Sequence, residues 1–251
     1  MDKIFLITGC NSGLGYQLTQ KLLSLKNTVI GISKTKKKIF NKQFHYIKHN
    51  LRKKIDDKSI KKINLFFKNK NKIQIIINAA VDIDDLKGKK LDYEKTLKQI
   101  YINFINQYLL IAKILNKSKN NQINICLISS VNVFLFDKVF SLGYNLSKSL
   151  QFELYKFFLT RFKNYNVKII FLSGMKTKMY SKTLTRKFKN NSYLYNKKIK
   201  KVLNAKSVAN EIIHFINNSK KKALFLPKKY KFALIFYYFI KTFNILKWKK
   251  F

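Results

Sequence analysis

The chain has 251 residues, 47% apolar and 15% aromatic, with seven Gly and one Pro. That is the length of one large α/β domain with an ample core, and it excludes a disordered, collagen-like or low-complexity protein. Lys and Arg total 53 against 11 Asp and Glu, a formal charge of +42. Only Arg52, Arg161 and Arg186 are arginines, and the lysines are spread along the whole chain. Specific nucleic-acid recognition, which favours arginine forks on a concentrated basic face, is set aside for a diffuse attraction to anionic surfaces.

Short Ile- and Val-rich runs alternate with longer periodic segments. Strands are predicted at Ile4–Thr8, Thr28–Ser33, Phe44–Lys48, Ile73–Asn78, Ile123–Ser129, Val167–Leu172 and Ala223–Leu226. Helices are predicted over Leu14–Lys26, Lys58–Lys68, Tyr93–Asn116, Tyr144–Lys163 and Ser207–Asn217. Near-continuous apolar strands between helices predict an α/β fold: a Rossmann-type doubly wound parallel sheet of about seven strands, helices on both faces, in a single domain. In the third helix Leu97, Tyr101, Phe104, Ile105, Tyr108 and Ile111 recur at a spacing close to 3.6, the mark of one apolar face. The domain is expected to occupy residues 1–226. Residues 175–205, long and lysine-rich, fall outside the alternation, and 227–251 form a basic, apolar tail. No apolar run approaches the roughly 20 residues of a spanning helix, and Ile4–Ile7 is too short for a secretory leader. Cys10 and Cys126 lack metal or redox spacing, which fits a reducing compartment, and the cytoplasm is the expected location.

After the first strand the chain reads Thr8-Gly9-Cys10-Asn11-Ser12-Gly13-Leu14-Gly15. Glycines permit positive φ in a tight turn and let backbone approach a pyrophosphate, which would sit on free N–H groups at the helix N-terminus. An NAD site usually places Asp or Glu roughly 20 residues beyond such glycines. Here no acidic residue occurs between Asp2 and Asp56, and Lys34, Lys36, Lys37 and Lys38 follow the second strand. That composition suits a 2′-phosphate and predicts NADP(H) in preference to NAD(H).

Five of the eleven acids lie between Asp82 and Glu94. Their spacing is not that of a calcium loop, so they read as a solvated connection leading into a helix. His45, His49 and His214 have no ligand partners, and no metal site is predicted. Tyr144-Asn145-Leu146-Ser147-Lys148 opens the fourth helix and sets a phenol and an ammonium one turn apart on one face. A phenol with pKa about 10 is a poor acid–base group at neutral pH, and a neighbouring ammonium would pull it down.

In that position the chain resembles the short-chain dehydrogenase/reductase family from Ile4 to Leu226. Thr8-Gly9 with Gly13 and Gly15 matches its T-G-x-x-x-G-x-G loop, Ile77-Asn78-Ala79-Ala80 its N-N-A-G segment, and Tyr144 with Lys148 its Y-x-x-x-K. Asn103 and Ser130 stand where the family carries its asparagine and serine. The resemblance implies that Tyr144 exchanges a proton with the substrate oxygen and that Ser130 hydrogen-bonds that oxygen. Lys148 would lower the tyrosine pKa and hold the nicotinamide ribose, and Asn103 would anchor a water linking the lysine to solvent. Cofactor contacts are implied at Thr8, Gly9, Asn11, Ser12, Gly13, Leu14, Gly15, Lys34, Asn50, Asn78, Ala79, Tyr144, Lys148 and Thr177.

Three departures stand out. Ser130 precedes Tyr144 by 14 positions, one more than usual, which leaves Ser129 as the alternative serine. Ser173-Gly174-Met175-Lys176-Thr177 lacks the family's proline, and Asn50 replaces a common acidic contact to adenine. Residues 175–205 take the place of the substrate lid. The expected partner is a small carbonyl or alcohol compound, with a lean towards lipophilic ones. The tail is expected either to lie on a membrane surface or to pack within the protein or a homo-oligomer. The alternative to an enzyme is a noncatalytic dinucleotide-binding or membrane-associated scaffold of the same fold.

Overall fold

Strands that are apolar on both faces are stable only when helices cover each side of their sheet, and the chain supplies helices for both. The computed structural model describes residues 3–35, 39, 41–68, 72–87, 90–117, 122–135, 139–162, 165–232, 234, 235, 238 and 239. In order these form β1 (Lys3–Thr8), α1 (Gly13–Ser24), β2 (Thr28–Ser33), β3 (Phe44–Lys48), α2 (Asp57–Phe67) and β4 (Lys72–Ile77). A small hairpin, β5 (Leu86–Lys87) and β6 (Lys90–Leu91), then leads into α3 (Tyr93–Ile100), a π-helical turn (Tyr101–Ile105) and α4 (Asn106–Lys117). Next come β7 (Gln122–Ser130), α5 (Asn132–Leu135), α6 (Leu142–Arg161) and β8 (Asn166–Leu172). The order closes with α7 (Lys178–Lys187), α8 (Ser192–Lys200), α9 (Ala205–Asn218) and β9 (Ala223–Leu226).

The main sheet has seven strands in the order β3-β2-β1-β4-β7-β8-β9, every pair parallel. Strand order reverses between β1 and β4, so the loops leaving their carboxyl ends diverge and open a crevice. On one face Leu6, Ile30, Ile75, Leu127 and Phe171 pack against α2, α4 and α6. On the other, Phe5, Ile7, Val29 and Ile170 meet α1 and α9. Lys168 points from β8 into this second layer, where its Nζ donates to the carbonyls of Phe215, Ile216 and Ser219 at 3.0, 3.2 and 2.6 Å. It thereby closes the C-terminal end of α9, where carbonyls lack intrahelical partners and the dipole favours a cation.

Three segments differ from the sequence expectation. The helix predicted over Tyr93–Asn116 is split by the π-turn, whose extra residue rotates the phase of everything after it. Leu97, Tyr101 and Tyr108, assigned to one apolar face, are exposed, while Ile102, Leu110, Ile111 and Ile114 are buried. Residues 175–205 hold two helices, whose N-caps Thr177 and Asn191 accept from the N–H groups of Tyr180 and Leu194. At the tail, Tyr230 and Leu234 pack on the first core layer, whereas Phe232 and Ile235 are exposed. Residues 240–251 and Lys36–Lys38 lie outside the described residues. Among the described residues no helix is long and apolar enough to cross a membrane.

Candidate active site

The crevice begins at the β1–α1 turn. Gly9 has φ +73, a conformation that L side chains avoid. A Cβ at Gly15 would run into the Gly9 carbonyl oxygen, so glycine here lets α1 start directly against the turn. Ser12 is the N-cap of α1, and its side chain makes no capping bond. Asn11 is buried, and its Nδ2 has no hydrogen-bond partner. Thr8, implied as a cofactor contact, is instead fully buried behind the loop. Its Oγ1 donates to Gln107 Oε1 at 2.8 Å and accepts from the N–H groups of Asn78 and Ala79 at 2.9 and 3.1 Å. Its hydroxyl is consumed in tying the β1 turn to β4 and α4.

A cleft of about 190 Å³ joins this turn to the start of α6. It is lined by Gly9, Ser12, Gly13, Leu14, Asn78, Ala79, Ser130, Tyr144, Lys148 and Thr177, among others. Of the remaining implied contacts, Thr8, Asn11 and Gly15 support the turn from behind. Lys34 and Asn50 are exposed at the ends of β2 and β3 and do not line the cleft. The Asn50 side chain accepts from Arg52 N at 3.2 Å in a local turn. The walls also include Phe140, Leu172, Met175, Met179 and Tyr180.

Ser130 lies by the Tyr144 phenol in the cleft, where it acts to lower that phenol's pKa, whereas Ser129 Oγ donates to the Lys148 carbonyl at 3.1 Å. α5 lies within the longer separation, and Ser130, not Ser129, faces the phenol. Phe140 stacks on the Tyr144 ring at 4.3 Å. Lys148 lies on the same face, its Nζ 5.7 Å from that ring's centroid, and donates to Ile128 O at 2.7 Å and Gln151 Oε1 at 3.1 Å.

The electrostatics differ from the sequence expectation of an acidified phenol. Burial pushes the Tyr144 phenol well above its ordinary value, Asp82 pushes it further, and Ser130 opposes both. Burial alone brings Lys148 down to about 7. Both groups are enclosed by apolar walls, and in that setting desolvation outweighs their mutual influence.

Asn103 sits inside the π-turn, fully buried. Its Nδ2 donates to Val81 O at 2.8 Å and to Ser147 Oγ at 3.1 Å, and its Oδ1 accepts from Val81 N at 2.8 Å. Its carboxamide is thus occupied by protein, in place of the implied water. The carbonyl of the same residue accepts from Gln107 Nε2 at 3.0 Å and Gln151 Nε2 at 3.1 Å. Neither glutamine was singled out from the sequence. Gln151 could have been, since it lies three residues after Lys148 and seven after Tyr144 on the same helical face.

Of the acids after β4, Asp84 and Glu94 are exposed and Asp92 caps α3 as expected, but Asp82 and Asp85 are not solvated. The Asp82 side chain is fully buried. It accepts from Ser141 N at 3.1 Å, Thr183 Oγ1 at 2.6 Å and Arg186 Nη2 at 2.7 Å. Asp85, also buried, accepts from Gly143 N at 2.8 Å. Ser141 caps α6 through Tyr144 N. Two carboxylates therefore set the first turn of the helix that carries Tyr144, and one of them ties it to α7.

Comparison with known proteins gives three findings. A family model described as short chain dehydrogenase matches residues 3–187. The 3-oxoacyl-[acyl-carrier-protein] reductase of Buchnera aphidicola is 36% identical over 140 residues, 51% of this chain and 55% of that protein, so the match spans about half of that relative's length. A short chain dehydrogenase/reductase from Saccharomyces cerevisiae superposes with TM-score 0.73 at 19% identity, over 89% of this chain and 95% of that one. A 3-ketoacyl-(acyl-carrier-protein) reductase from Brucella melitensis complexed with NADH gives 0.71 at 14% identity, over 89% and 96%. A short chain dehydrogenase from Burkholderia cenocepacia in complex with NADP gives 0.67 at 12% identity, over 88% and 86%. These three share the fold.

Proposed function

This chain belongs to the short-chain dehydrogenase family, and on that premise we propose that it is an NADP(H)-dependent oxidoreductase moving hydride between a nicotinamide and a carbonyl or alcohol substrate. The observation that carries this reading is that Ser130, Tyr144 and Lys148 line the same cleft as Gly9, Gly13 and Asn78. The cleft fits a dinucleotide on its own terms: a side-chain-free turn and a Ser12 hydroxyl that makes no capping bond, at a helix N-terminus that lacks acids.

A nicotinamide dinucleotide, when bound, supplies the hydride and, in its oxidised form, a positive ring charge. The chain's part is orientation and proton transfer. Gly9, Gly13 and the first N–H groups of α1 would hold the pyrophosphate, and Thr177, whose side chain packs close to Gly13, would contact the dinucleotide beside that turn. Ser130 would hold the substrate oxygen beside Tyr144. A phenol with a raised pKa stays protonated at neutral pH but gives its proton up reluctantly, so transfer would depend on stabilisation of the phenolate it leaves. The phenolate left after transfer would be stabilised by the Lys148 ammonium, a charge that burial confines to pH values below about 7.

The NADP(H) preference is supported by Lys34 at the end of β2 and by the absence of acids between Asp2 and Asp56. The test is fluorescence titration of NADPH and NADH followed by turnover against ketones, sugars and acyl thioesters. NADPH is expected to bind at least tenfold more tightly than NADH, with Lys34→Glu narrowing the gap. Equal affinities would contradict the preference, and failure of both dinucleotides to bind would contradict the reading. A peripheral membrane contact is a second reading, favoured by exposed Phe232 and Ile235 beside Lys228, Lys229 and Lys231. Flotation with anionic liposomes that is unchanged on deleting residues 227–251 would dismiss it.

A further inference from the structure

We propose that Gln151 is a positioning residue that bridges the Lys148 ammonium to the Asn103 carbonyl of the π-turn and favours its charged form. The inference rests on the role given to Lys148 above.

The geometry is a closed chain of bonds. Lys148 Nζ has three protons to give, and two go to Ile128 O and Gln151 Oε1 at 2.7 and 3.1 Å. The other end of that carboxamide, Gln151 Nε2, donates to Asn103 O at 3.1 Å. Gln107 Nε2, whose two protons are shared among Ala79 O at 2.7 Å, Ile102 O at 2.9 Å and this carbonyl at 3.0 Å, approaches it as well. Gln107 Oε1 in turn accepts from Thr8 Oγ1 at 2.8 Å. A fully protein-made network thus runs from the glycine turn to the lysine, and Gln151 is the link that touches the ammonium. The Asn103 bond fixes which way the carboxamide points: with Nε2 committed to a carbonyl, Oε1 must face Nζ.

A carboxamide neither takes up nor releases a proton at accessible pH, so Gln151 cannot relay protons. It can only favour the charged form of its neighbour, as a dipole with its negative end on an ammonium that has lost its water. The titratable groups around that ammonium are few. Tyr144 lies on its own helix and Asp82 behind the phenol, while Tyr180 and Lys178 of α7 line the cleft. Among the described residues, β7 and the π-turn present carbonyls, amides and hydroxyls, from Ile128, Ser129, Ser130 and Asn103.

Two substitutions move the lysine in opposite directions. Gln151→Leu removes the acceptor at nearly constant volume and should lower the protonation constant of Lys148 about tenfold. Gln151→Glu places a carboxylate at the same point and should raise it by at least that factor. The readout is NMR titration of the full chain carrying ¹³Cε-lysine. The Lys148 resonance, titrating near neutral pH, is assigned by its loss in Lys148→Met. Circular dichroism and thermal melting establish that each variant is folded, and Gln151→Glu, being isosteric, decides alone if Gln151→Leu is not. Opposite shifts support the proposal; a midpoint unmoved in a folded Gln151→Glu variant overturns it. The titration needs no substrate, so its outcome is separate from whether any carbonyl compound is turned over.

Discussion

Tyr144 and Lys148 share a helical face, yet their surroundings drive the two titrations in opposite senses: burial raises the phenol and lowers the amine. Below about pH 7 Lys148 holds its proton in both the folded and the unfolded chain. Between about 7 and its ordinary 10.5 only the unfolded chain holds it. Over that window the unfolded state binds more protons, so this residue makes stability rise with pH, by up to about 1.4 kcal/mol per unit. The stability difference between wild type and Lys148→Met, from denaturant unfolding at pH 6 to 9, should therefore grow in favour of the wild type as pH increases. A flat difference would mean that the lysine is not desolvated. The pair itself was legible from a spacing of four. Its electrostatics were not, because they depend on Asp82 and on walls contributed by distant segments. Asp82 is the clearest case: its acidic neighbours point to solvent exposure, and donors far along the chain, Ser141, Thr183 and Arg186, make its burial possible.

At the scale of elements, the strands were readable because a strand buried on both faces shows its whole pattern in sequence. Thr28–Ser33, Phe44–Lys48 and Ala223–Leu226 have the bounds that their apolar runs predict. Helix phase was less readable, since a single inserted residue in the π-turn rotates α4 relative to α3 and leaves no mark in composition. The same turn buries Asn103 and frees its carbonyl for Gln107 and Gln151. The helices of 175–205 were hidden because their few apolar anchors, Tyr180 and Leu184 packed with Val139 and Phe140, are dispersed in a lysine-rich segment, and because α7 is also tied to the distant Asp82. Asp82→Asn keeps the shape but removes the charge that pairs with Arg186, and breaking one partner of a buried pair typically costs about 3–5 kcal/mol. Amide exchange in Lys178–Lys187 should accelerate well beyond that of β1, β4 and β7; equal acceleration everywhere would show that α7 is not tethered by this carboxylate. Lys168 is a second element-level device. Lys168→Met should cost about 1–3 kcal/mol through the carbonyls of Ile216 and Ser219, since that of Phe215 keeps the Ser219 N–H, and through a lost cation at the end of α9. A melting temperature unchanged from wild type would contradict that capping role.

For the molecule as a whole, the order of the parts carried more information than any one of them. A glycine turn after the first strand, an asparagine after the fourth, a serine ending the fifth long strand and a tyrosine–lysine pair on the next helix become neighbours because the sheet reverses between β1 and β4. The charge of +42 is dispersed along the chain, and of its lysines only Lys148 and Lys178 line the cleft among the described residues. The account as a whole stands on Tyr144 as proton donor beside a dinucleotide. The most direct measurement is NADPH oxidation by wild type and by Tyr144→Phe on the best carbonyl compound found, with NADPH affinity measured in parallel. The account predicts that kcat falls by a factor of about 100 or more while the dissociation constant changes less than about threefold. Undiminished turnover by Tyr144→Phe would contradict it.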